Sequence, residues 1–578
     1  MSSQSLSIHK LLDSANLQHL VAKAFEYHGS GDINQSETLC HAILAHNQDD
    51  FNTLHLLGVI RWQQNQFVES LGYVEKALSI RPNNSEALKN RQIIKSQLIQ
   101  SLINSARALH KQHKFVEASA LYEMVLLYEQ EHAVAIQLLG TLTLQQGKHQ
   151  IALDLLDSAL IIDPNNANAH HDRGYALAEL GRHDEAVASY KAALGIDPND
   201  GNAYHNLGNT LKRLGRLDEA LASFDQALAI SPDNAHVLAN RANTLYRLKR
   251  LDEAMASYEK ALAINPHDAV TNFNLSFLQL SMGDFETGWR THEWRWKKDD
   301  YCKANLRHTS TPLWQGSESL SGKTILLWSE QGLGDTIQFC RFATDIARRG
   351  AKVILEVPGP LIPALRNLVG VDKICACGDP LPPLDFQISL LSLPLALNLK
   401  LPDISGAAYL SRQTHKPWID QLSLPMASIG IVWSGRAEYD DDSIRSIPLS
   451  LFNECLPEGL SIVCLQKEIR DSDRQVLSAC PNIQVAQSYL HDFGDTAALI
   501  QALDLVVTVD TGVAHLAGAM GKDVWILLPY VSDWRWMLDR VDTPWYDSAT
   551  LFRQPQLGDW CSVLEEVRKR LVERFLPT

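Results

Sequence analysis

The chain has 578 residues, of which 45% are hydrophobic and 21% charged, and its formal net charge is −15. This length predicts two or three domains, and the composition is typical of a globular protein rather than a disordered one. An acidic chain is repelled by nucleic acid and anionic lipid, so we expect no nucleic-acid partner. No apolar run approaches the ~20 residues of a membrane span, so we expect no transmembrane segment. The first residues lack a secretory signal, so we expect a cytoplasmic protein.

The first half of the chain is periodic. Residues 133–268 repeat every 34 positions, and weaker repeats precede them. The period is marked by prolines at Pro164, Pro198, Pro232 and Pro266. A 34-residue period is the signature of tetratricopeptide (TPR) helical hairpins, whose stacked surface binds other proteins. Residues 269–302 depart from the repeat and contain Trp289, Trp294 and Trp296, which predict a capping unit docked on the next domain. We therefore expect an all-α TPR superhelix over residues 1–302.

Asparagines recur at one position of successive repeats, at Asn206, Asn240 and Asn274. Stacked in register, they would line the TPR groove and hydrogen-bond an extended peptide. Similar ladders hold acceptor protein in O-linked N-acetylglucosamine transferases. Asparagine is also common at this position in arrays without a peptide ligand, so both interpretations stay open.

Beyond Gly322 strands alternate with helices, which predicts parallel sheets. Strands are predicted at Thr324–Trp328, Lys352–Val357, Leu384–Leu391, Ala427–Trp433, Leu460–Leu465, Ile483–Val485, Leu503–Val509 and Val524–Leu528. Two consecutive Rossmann-like halves, residues 303–420 and 421–578, are the layout of an α/β GT-B glycosyltransferase. Ligands of such sheets bind beyond the carboxyl ends of the strands, which here means the cleft between the halves.

The most specific motif is Val509–Ala519, which follows a buried strand directly. Asp510 lies at the strand end, Thr511 can cap the next helix, and Gly512 allows close approach of a ligand to the backbone, whose free amides favour phosphate. The motif resembles the donor-site signature of the ADP-heptose lipopolysaccharide heptosyltransferase family. That resemblance implies donor contacts from Asp510, Thr511, Gly512 and His515.

A second motif, Gly332–Thr336, follows the first strand. The same family has a Gly-Asp pair there, which implies that Asp335 is the general base that takes the proton of an acceptor hydroxyl. The alternative is an aspartate that only caps the helix. The neighbouring residues are expected on the acceptor side, namely Glu330, Gln331, Gly332 and Gly334, and Glu330 or Gln331 can share the role of base.

Polar and cationic residues follow the strands of the second half. A diphosphate leaving group needs positive charge where no metal neutralises it. The donor-binding candidates in these loops are Ser434, Arg436, Arg445, Gln466 and Lys467. Each cation taken alone is equally compatible with a solvated surface position.

We expect neither a metal nor a cofactor other than the nucleotide-sugar substrate. Asp440–Asp442 and Asp471–Asp473 superficially resemble metal-binding D-x-D motifs, but both lie in polar loops. Cys375 and Cys377 form a close pair without a second pair nearby, which favours reduced thiols over a zinc site.

The run Asp533–Met537 resembles the matching stretch of bacterial TPR–glycosyltransferase fusions, and this resemblance covers roughly residues 130–570. It implies a metal-independent, inverting protein O-glycosyltransferase whose array recruits the acceptor, with flagellin or another surface protein as a candidate. The alternatives are transfer to lipid or polysaccharide and a catalytically silent TPR adaptor. The presence of Asp335 together with Asp510–His515 argues against a silent domain. The nucleotide, the sugar and the oligomeric state stay open.

Overall fold

A computed structural model describes residues 14–422, 424, 427–437 and 442–576. Its contacts divide the chain into two compact units, residues 1–230 and residues 231–578. In the described part of the chain, no helix is long and apolar enough to cross a membrane.

The first unit consists of antiparallel helical hairpins. Its helices are Ser14–Gly29, Ile33–His46, Phe51–Gln63, Phe67–Ile80, Ser85–Lys111, Phe115–Tyr128, Ala133–Gln145, His149–Ile162, Ala167–Glu179, His183–Ile196, Gly201–Arg213 and Leu217–Ile230. The helix Ser85–Lys111 has 27 residues and contains neither glycine nor proline. Its side-chain cap is Asn84, which accepts a hydrogen bond from the amide of Ala87 at 2.9 Å.

The repeated glycines let the two helices of a hairpin approach each other. A β-carbon at Gly174 would fall 2.7 Å from the ring of Tyr190, and one at Gly208 would fall 2.6 Å from the ring of Phe224. Both rings are almost fully buried. Each glycine therefore makes room for the aromatic side chain 16 positions later.

The second unit begins with one further hairpin, followed by the cap that starts at residue 269. The helices are Ala235–Arg247, Leu251–Ile264, Ala269–Ser281 and Phe285–His292, followed by the 3₁₀ turn Glu293–Lys297 and the short helix Asp299–Asn305.

Two parallel sheets follow. The strands are β1 (Thr324–Trp328), β2 (Lys352–Val357), β3 (Lys373–Ala376), β4 (Phe386–Ser389), β5 (Ser428–Val432), β6 (Ser461–Cys464), β7 (Ile483–Val485), β8 (Leu505–Val509), β9 (Val524–Leu528) and β10 (Ala549–Arg553). The first sheet has the order β3-β2-β1-β4, and the second has the order β10-β9-β8-β5-β6-β7. Because every pairing is parallel, the carboxyl ends of neighbouring strands lie along one edge of each sheet.

Helices lie between these strands, and a last helix follows β10. They are Leu333–Phe339, Ala343–Arg348, Ile362–Leu365, Leu393–Ala396, Asp442–Arg445, Leu449–Asn453, Asp471–Ser478, Phe493–Ala502, Gly512–Ala519 and Trp560–Phe575. A 3₁₀ turn at Cys340–Phe342 separates the two helices that follow β1.

The cap packs through aromatic rings on the sheets that follow it. The ring of Trp289 lies 5.3 Å from that of Trp534 and 6.4 Å from that of Phe339, and its indole nitrogen donates to the carbonyl of Leu399 at 3.1 Å. Phe285 lies 6.1 Å from Trp545. The tryptophan-rich segment is thus a docking surface, as its aromatic density predicts.

Candidate functional site

The two sequence motifs meet in the structure. Gly334 follows β1 of the first sheet, and Gly512 follows β8 of the second. A β-carbon at Gly334 would lie 2.8 Å from Cδ2 of His515 and 3.7 Å from the α-carbon of Gly512. The turn Gly332–Asp335 and the start of the helix Gly512–Ala519 therefore touch, with no side chain between them at this point.

Asp335 lies in the first turn of the helix Leu333–Phe339. Its Oδ2 accepts from the amide of Gly332 at 2.9 Å, and its Oδ1 accepts from Nη2 of Arg535. Its side chain is 19% exposed. Burial raises the pKa of Asp335, and the Arg535 guanidinium opposes that rise. The carboxylate thus both caps the helix and faces the second half of the site.

Arg535 is a site residue to which the sequence analysis gave no role. Its Nη1 donates to Oδ1 of Asp533 at 2.8 Å and its Nε donates to Oε1 of Gln338 at 2.8 Å, while Nη2 reaches Asp335. The guanidinium also lies 4.4 Å from the centre of the Trp534 ring. This buried cation therefore joins the loop after β9 to the helix after β1. The signal in the sequence was its place in the run Asp533–Met537.

The residues after β8 carry a carboxylate and a neutral imidazole. Asp510 is 17% exposed, and burial raises its pKa to about 6, opposed by the nearby arginines. His515 Nδ1 is 2.9 Å from the hydroxyl of Tyr546, and its ring stacks on Trp536 at 5.2 Å. Burial, together with Arg535, lowers the pKa of His515 well below its usual value, so the ring is neutral. Its Nε2 is 3.9 Å from Asp510, beyond hydrogen-bonding distance.

Thr511 occupies the cap position of the helix Gly512–Ala519 without capping it through its side chain. The expectation of a side-chain cap was therefore wrong. The hydroxyl pairs instead with that of Thr508 at 3.1 Å. Within the described residues, the amides of Gly512 and Val513 make no hydrogen bond, and both residues are partly exposed. These two amides can receive an anion at the helix start.

Two arginines converge on the loop after β5. Nη1 of Arg445 donates to the carbonyl of Asp510 at 3.1 Å, and its guanidinium packs against Gly435. Arg470, which the sequence analysis did not select, donates to the carbonyl of Gly435 at 3.3 Å. Both arginines contact the buried carboxylate of Asp442. Asp442 therefore holds two cations beside the ends of β5 and β8.

Ser434 and Gln466 bind each other at the same edge. In the side chain of Gln466, Nε2 donates to the Ser434 carbonyl at 3.0 Å and Oε1 accepts from the backbone nitrogen of Ser434 at 3.4 Å. The Ser434 hydroxyl is buried and, among the described residues, has no hydrogen-bond partner. The other two predicted cations lie further out. Arg436 is exposed, and Nζ of Lys467 donates to the carbonyl of Leu490.

The residues expected on the acceptor side divide into two groups. Gly332 and Gly334 lie in the contact described above. Glu330 is completely buried and is held by Arg295, whose Nη2 donates to Oε1 of Glu330 at 2.9 Å. Gln331 Nε2 donates to the hydroxyl of Tyr301 at 3.1 Å. Glu330 is therefore not available to an acceptor in this arrangement.

No group of histidine, cysteine, aspartate or glutamate side chains could hold a metal ion within residues 14–422, 424, 427–437 and 442–576. Asp440 and Asp441 of the first acidic run lie outside these ranges. In the second run, Asp473 accepts from the indole nitrogen of Trp433 at 2.9 Å, which gives it a structural role.

Part of the predicted asparagine ladder is bonded between repeats. In the first unit, Asn206 Nδ2 is 3.0 Å from Nε2 of His171, a residue 35 positions earlier. Gln137 and Asp172 form an equivalent link at 3.1 Å with the same separation. Asn240 and Asn274, in the second unit, are partly buried on their helices. The ladder position thus joins adjacent hairpins at Asn206, and contact with a peptide stays a prediction.

Two stretches of the chain match known families. Residues 155–188, 174–215 and 199–267 match tetratricopeptide repeat models, and residues 487–559 match the model of glycosyltransferase family 9 (heptosyltransferase). The chain combines TPR repeats with a heptosyltransferase-type domain. The matched segment contains Asp510, His515 and Arg535. It supports glycosyltransferase activity for this part of the protein.

The chain is also similar to Protein FlbA of Caulobacter vibrioides (strain ATCC 19089 / CIP 103742 / CB 15), with 24% identity over 331 residues. The alignment covers 50% of this chain and 53% of FlbA, so the chain spans about half the length of this relative.

Solved structures of TPR proteins are similar to part of the chain. One is pilF of Pseudomonas aeruginosa, with 17% identity, a TM-score of 0.33, and coverage of 36% of this chain and 94% of that one. Another is a thermophilic TPR protein of Thermus thermophilus, with 24% identity, a TM-score of 0.27, and coverage of 32% of this chain and 99% of that one.

Proposed function

We propose that this protein is a metal-independent glycosyltransferase of the two-domain GT-B type that transfers a sugar from a nucleotide sugar to a Ser or Thr hydroxyl of a protein recruited by the TPR array. The observation that carries the proposal is the contact of Gly334 with Gly512 and His515. It joins the residues that follow β1 to those that follow β8, and ligands of parallel sheets bind at such strand ends.

The donor diphosphate has suitable partners in the second half. The free amides of Gly512 and Val513 supply hydrogen-bond donors at a helix start, and Arg445 and Arg470 supply positive charge. The neutral ring of His515 and the carboxylate of Asp510 are suited to sugar hydroxyls, because together they offer a donor and acceptors.

Asp335 is the proposed general base. A carboxylate has about four acceptor positions, and the bonds from Gly332 and Arg535 use two of them. An acceptor hydroxyl can therefore still donate to it. In the reaction, the hydroxyl oxygen bonds to the anomeric carbon and its proton passes to Asp335. The bond from that carbon to the diphosphate breaks, and the nucleotide leaves with the electron pair.

Arg535 has a defined task in this scheme. Burial favours the protonated form of a carboxyl group, which cannot act as a base, and a neighbouring cation favours the ionised form. Arg535 thus keeps Asp335 ionised at a partly buried position.

The acceptor is proposed to be a protein, with flagellin or another surface-filament subunit as the candidate. TPR arrays bind proteins, and sugar transfer by a heptosyltransferase-type domain does not by itself require such an array. We place the reaction in the cytoplasm, where nucleotide sugars are available.

The test is co-expression of the full chain with a flagellin, followed by intact-mass and peptide mass spectrometry. We expect a sugar-sized mass increment on Ser- or Thr-containing peptides that is lost with Asp335→Asn. A sugar found on lipid or polysaccharide instead would replace the protein acceptor. No increment on any acceptor, and no binding of UDP-, GDP-, ADP- or CMP-sugars in a thermal-shift assay, would refute the enzyme assignment.

A further inference from the structure

A buried polar network connects the cap to the turn that carries Asp335. Arg295, in the 3₁₀ turn Glu293–Lys297, has no exposed side-chain surface, and neither has its partner Glu330. Nη2 and Nε of Arg295 donate to the two carboxylate oxygens of Glu330 at 2.9 and 3.1 Å. This is the bidentate geometry that fixes both orientation and distance.

The remaining donors of Arg295 are also occupied. Nη1 donates to the carbonyl of His292 at 3.1 Å and to Glu293, while Nη2 also reaches Oγ of Ser392 at 2.7 Å. The guanidinium therefore cannot rotate without breaking several bonds. It links the end of the cap, the end of β1 and the turn after β4.

Tyr301 provides a second attachment. Its hydroxyl donates to Oε2 of Glu330 at 2.8 Å and accepts from Nε2 of Gln331 at 3.1 Å. Its ring lies 5.3 Å from that of Trp296. Residues 330 and 331 are thus held from the cap side immediately before Gly332.

The path from Glu330 to Asp335 is short and bonded. The Gly332 amide donates to Asp335, and the amide of Thr336 donates to the Gly332 carbonyl at 3.1 Å. A shift of Glu330 therefore moves the carboxylate of Asp335. Misplacement of a reacting group by about 1 Å can cost about a hundredfold in rate.

Stability alone does not account for such a network. Buried ion pairs carry a large desolvation cost, and well-packed apolar residues often replace them without loss of stability. What a fully bonded network adds is one fixed geometry.

We infer that Arg295 and Tyr301 are positioning residues for the Gly332–Asp335 turn, so that the end of the TPR array forms part of the support of the active site. The inference rests on the proposed function for its effect on turnover. Its effect on the turn itself can be measured independently.

The experiment compares full-length wild type with Tyr301→Phe, Arg295→Met and the charge-free pair Arg295→Met/Glu330→Gln. Arg290→Met is the matched control, because Arg290 lies in the same segment, is 64% exposed and pairs only with Glu286 among the described residues. Hydrogen–deuterium exchange is followed in peptides that cover Gly332–Thr336 and Gly512–Ala519. Turnover is followed as nucleotide release from UDP-N-acetylglucosamine, GDP-mannose, ADP-heptose and CMP-sialic acid.

We expect at least about tenfold faster exchange at Gly332–Thr336 in Tyr301→Phe and in the double variant, with exchange at Gly512–Ala519 unchanged. Turnover should fall roughly tenfold to a hundredfold while donor affinity stays within about twofold. A double variant with wild-type exchange and turnover would show that the pair is only structural and would overturn the inference, even if Arg295→Met alone fails to fold. Absence of turnover in the wild type would instead refute the proposed function, and the exchange data would still decide the positioning role.

Discussion

The contact between the two motifs can be tested with one methyl group. Gly334→Ala places a β-carbon 2.8 Å from Cδ2 and 3.3 Å from Nε2 of His515, closer than carbon atoms normally approach. The backbone at Gly334 is outside the left-handed region, so alanine is tolerated locally. The effect of this substitution therefore comes from the contact alone.

The imidazole cannot move aside easily. It is held by the hydroxyl of Tyr546 at 2.9 Å and by stacking on Trp536, and both of these side chains are buried. Overpacking of this kind costs about 1–3 kcal/mol. For a folding unit of this size we expect a fall in Tm of a few degrees, at roughly 2–4 °C per kcal/mol or less. Because the two turns are pushed apart, we also expect kcat/KM to fall roughly tenfold to a hundredfold.

Gly359→Ala is the matched control. Gly359 follows β2 of the same sheet, its φ is not positive, and a β-carbon there would meet nothing within 4 Å. Calorimetry and nucleotide-release kinetics on both variants decide the question. If Gly334→Ala keeps the Tm and kcat/KM of wild type, the two turns do not touch in solution, and the observation that carries the proposed function is lost.

Other changes test the same geometry at separate points. Asp335→Asn should bind donor normally but turn over roughly 10²–10⁴ times more slowly, and full activity would mean that another group is the base. Arg535→Met removes the cation, so burial should raise the pKa of Asp335 further and the acid limb of the kcat/KM profile should move to higher pH. Arg535→Lys should move this limb less. An unmoved limb would show that Arg535 does not control the ionisation of the base. Thr511→Val should weaken donor binding by roughly tenfold or more in titration calorimetry if its hydroxyl binds the donor, since such a contact is worth about 1.5–3 kcal/mol to a charged group. A truncated protein that begins at Lys303 should aggregate or melt early, whereas one that begins at Ser231 should fold, as gel filtration and circular dichroism would establish.

Most of the strands could be predicted because their signal is local. Thr324–Trp328, Ile483–Val485 and Val524–Leu528 have the predicted bounds. The outer strands β4 and β7 were predicted. The two strands that the sequence analysis missed, β3 and β10, each form the opposite edge of a sheet. Outer strands are paired on one side only and need less apolar sequence, and both of these mix charged or polar residues with apolar ones. Their pattern therefore does not distinguish them from loops.

The candidate site was predictable where a residue lies close after a strand. Asp510 follows β8 directly, and Asp335 lies in the first turn of the helix after β1, so the motif and the fold together indicate their place. Arg535 contacts Asp335 across a separation of 200 positions, and no local pattern encodes that pairing. Lys467 and Arg470 are three positions apart, and which of the two cations lies at the site depends on the direction in which each side chain leaves the loop. Only the structure shows that Arg470 turns toward Gly435 and Lys467 toward Leu490.

The same reasoning explains why the repeat pattern does not determine where the catalytic unit begins. The repeat reflects the packing of each hairpin on the next. This constraint weakens after residue 268, because the cap packs on the sheets instead. The contacts that replace it are Trp289 with Trp534 and Arg295 with Glu330, both within residues 231–578. A buried carboxylate without its cation is strongly destabilising, typically by about 3–5 kcal/mol. The cap that supplies that cation therefore belongs energetically to the sheets it covers, although it follows directly on the repeats.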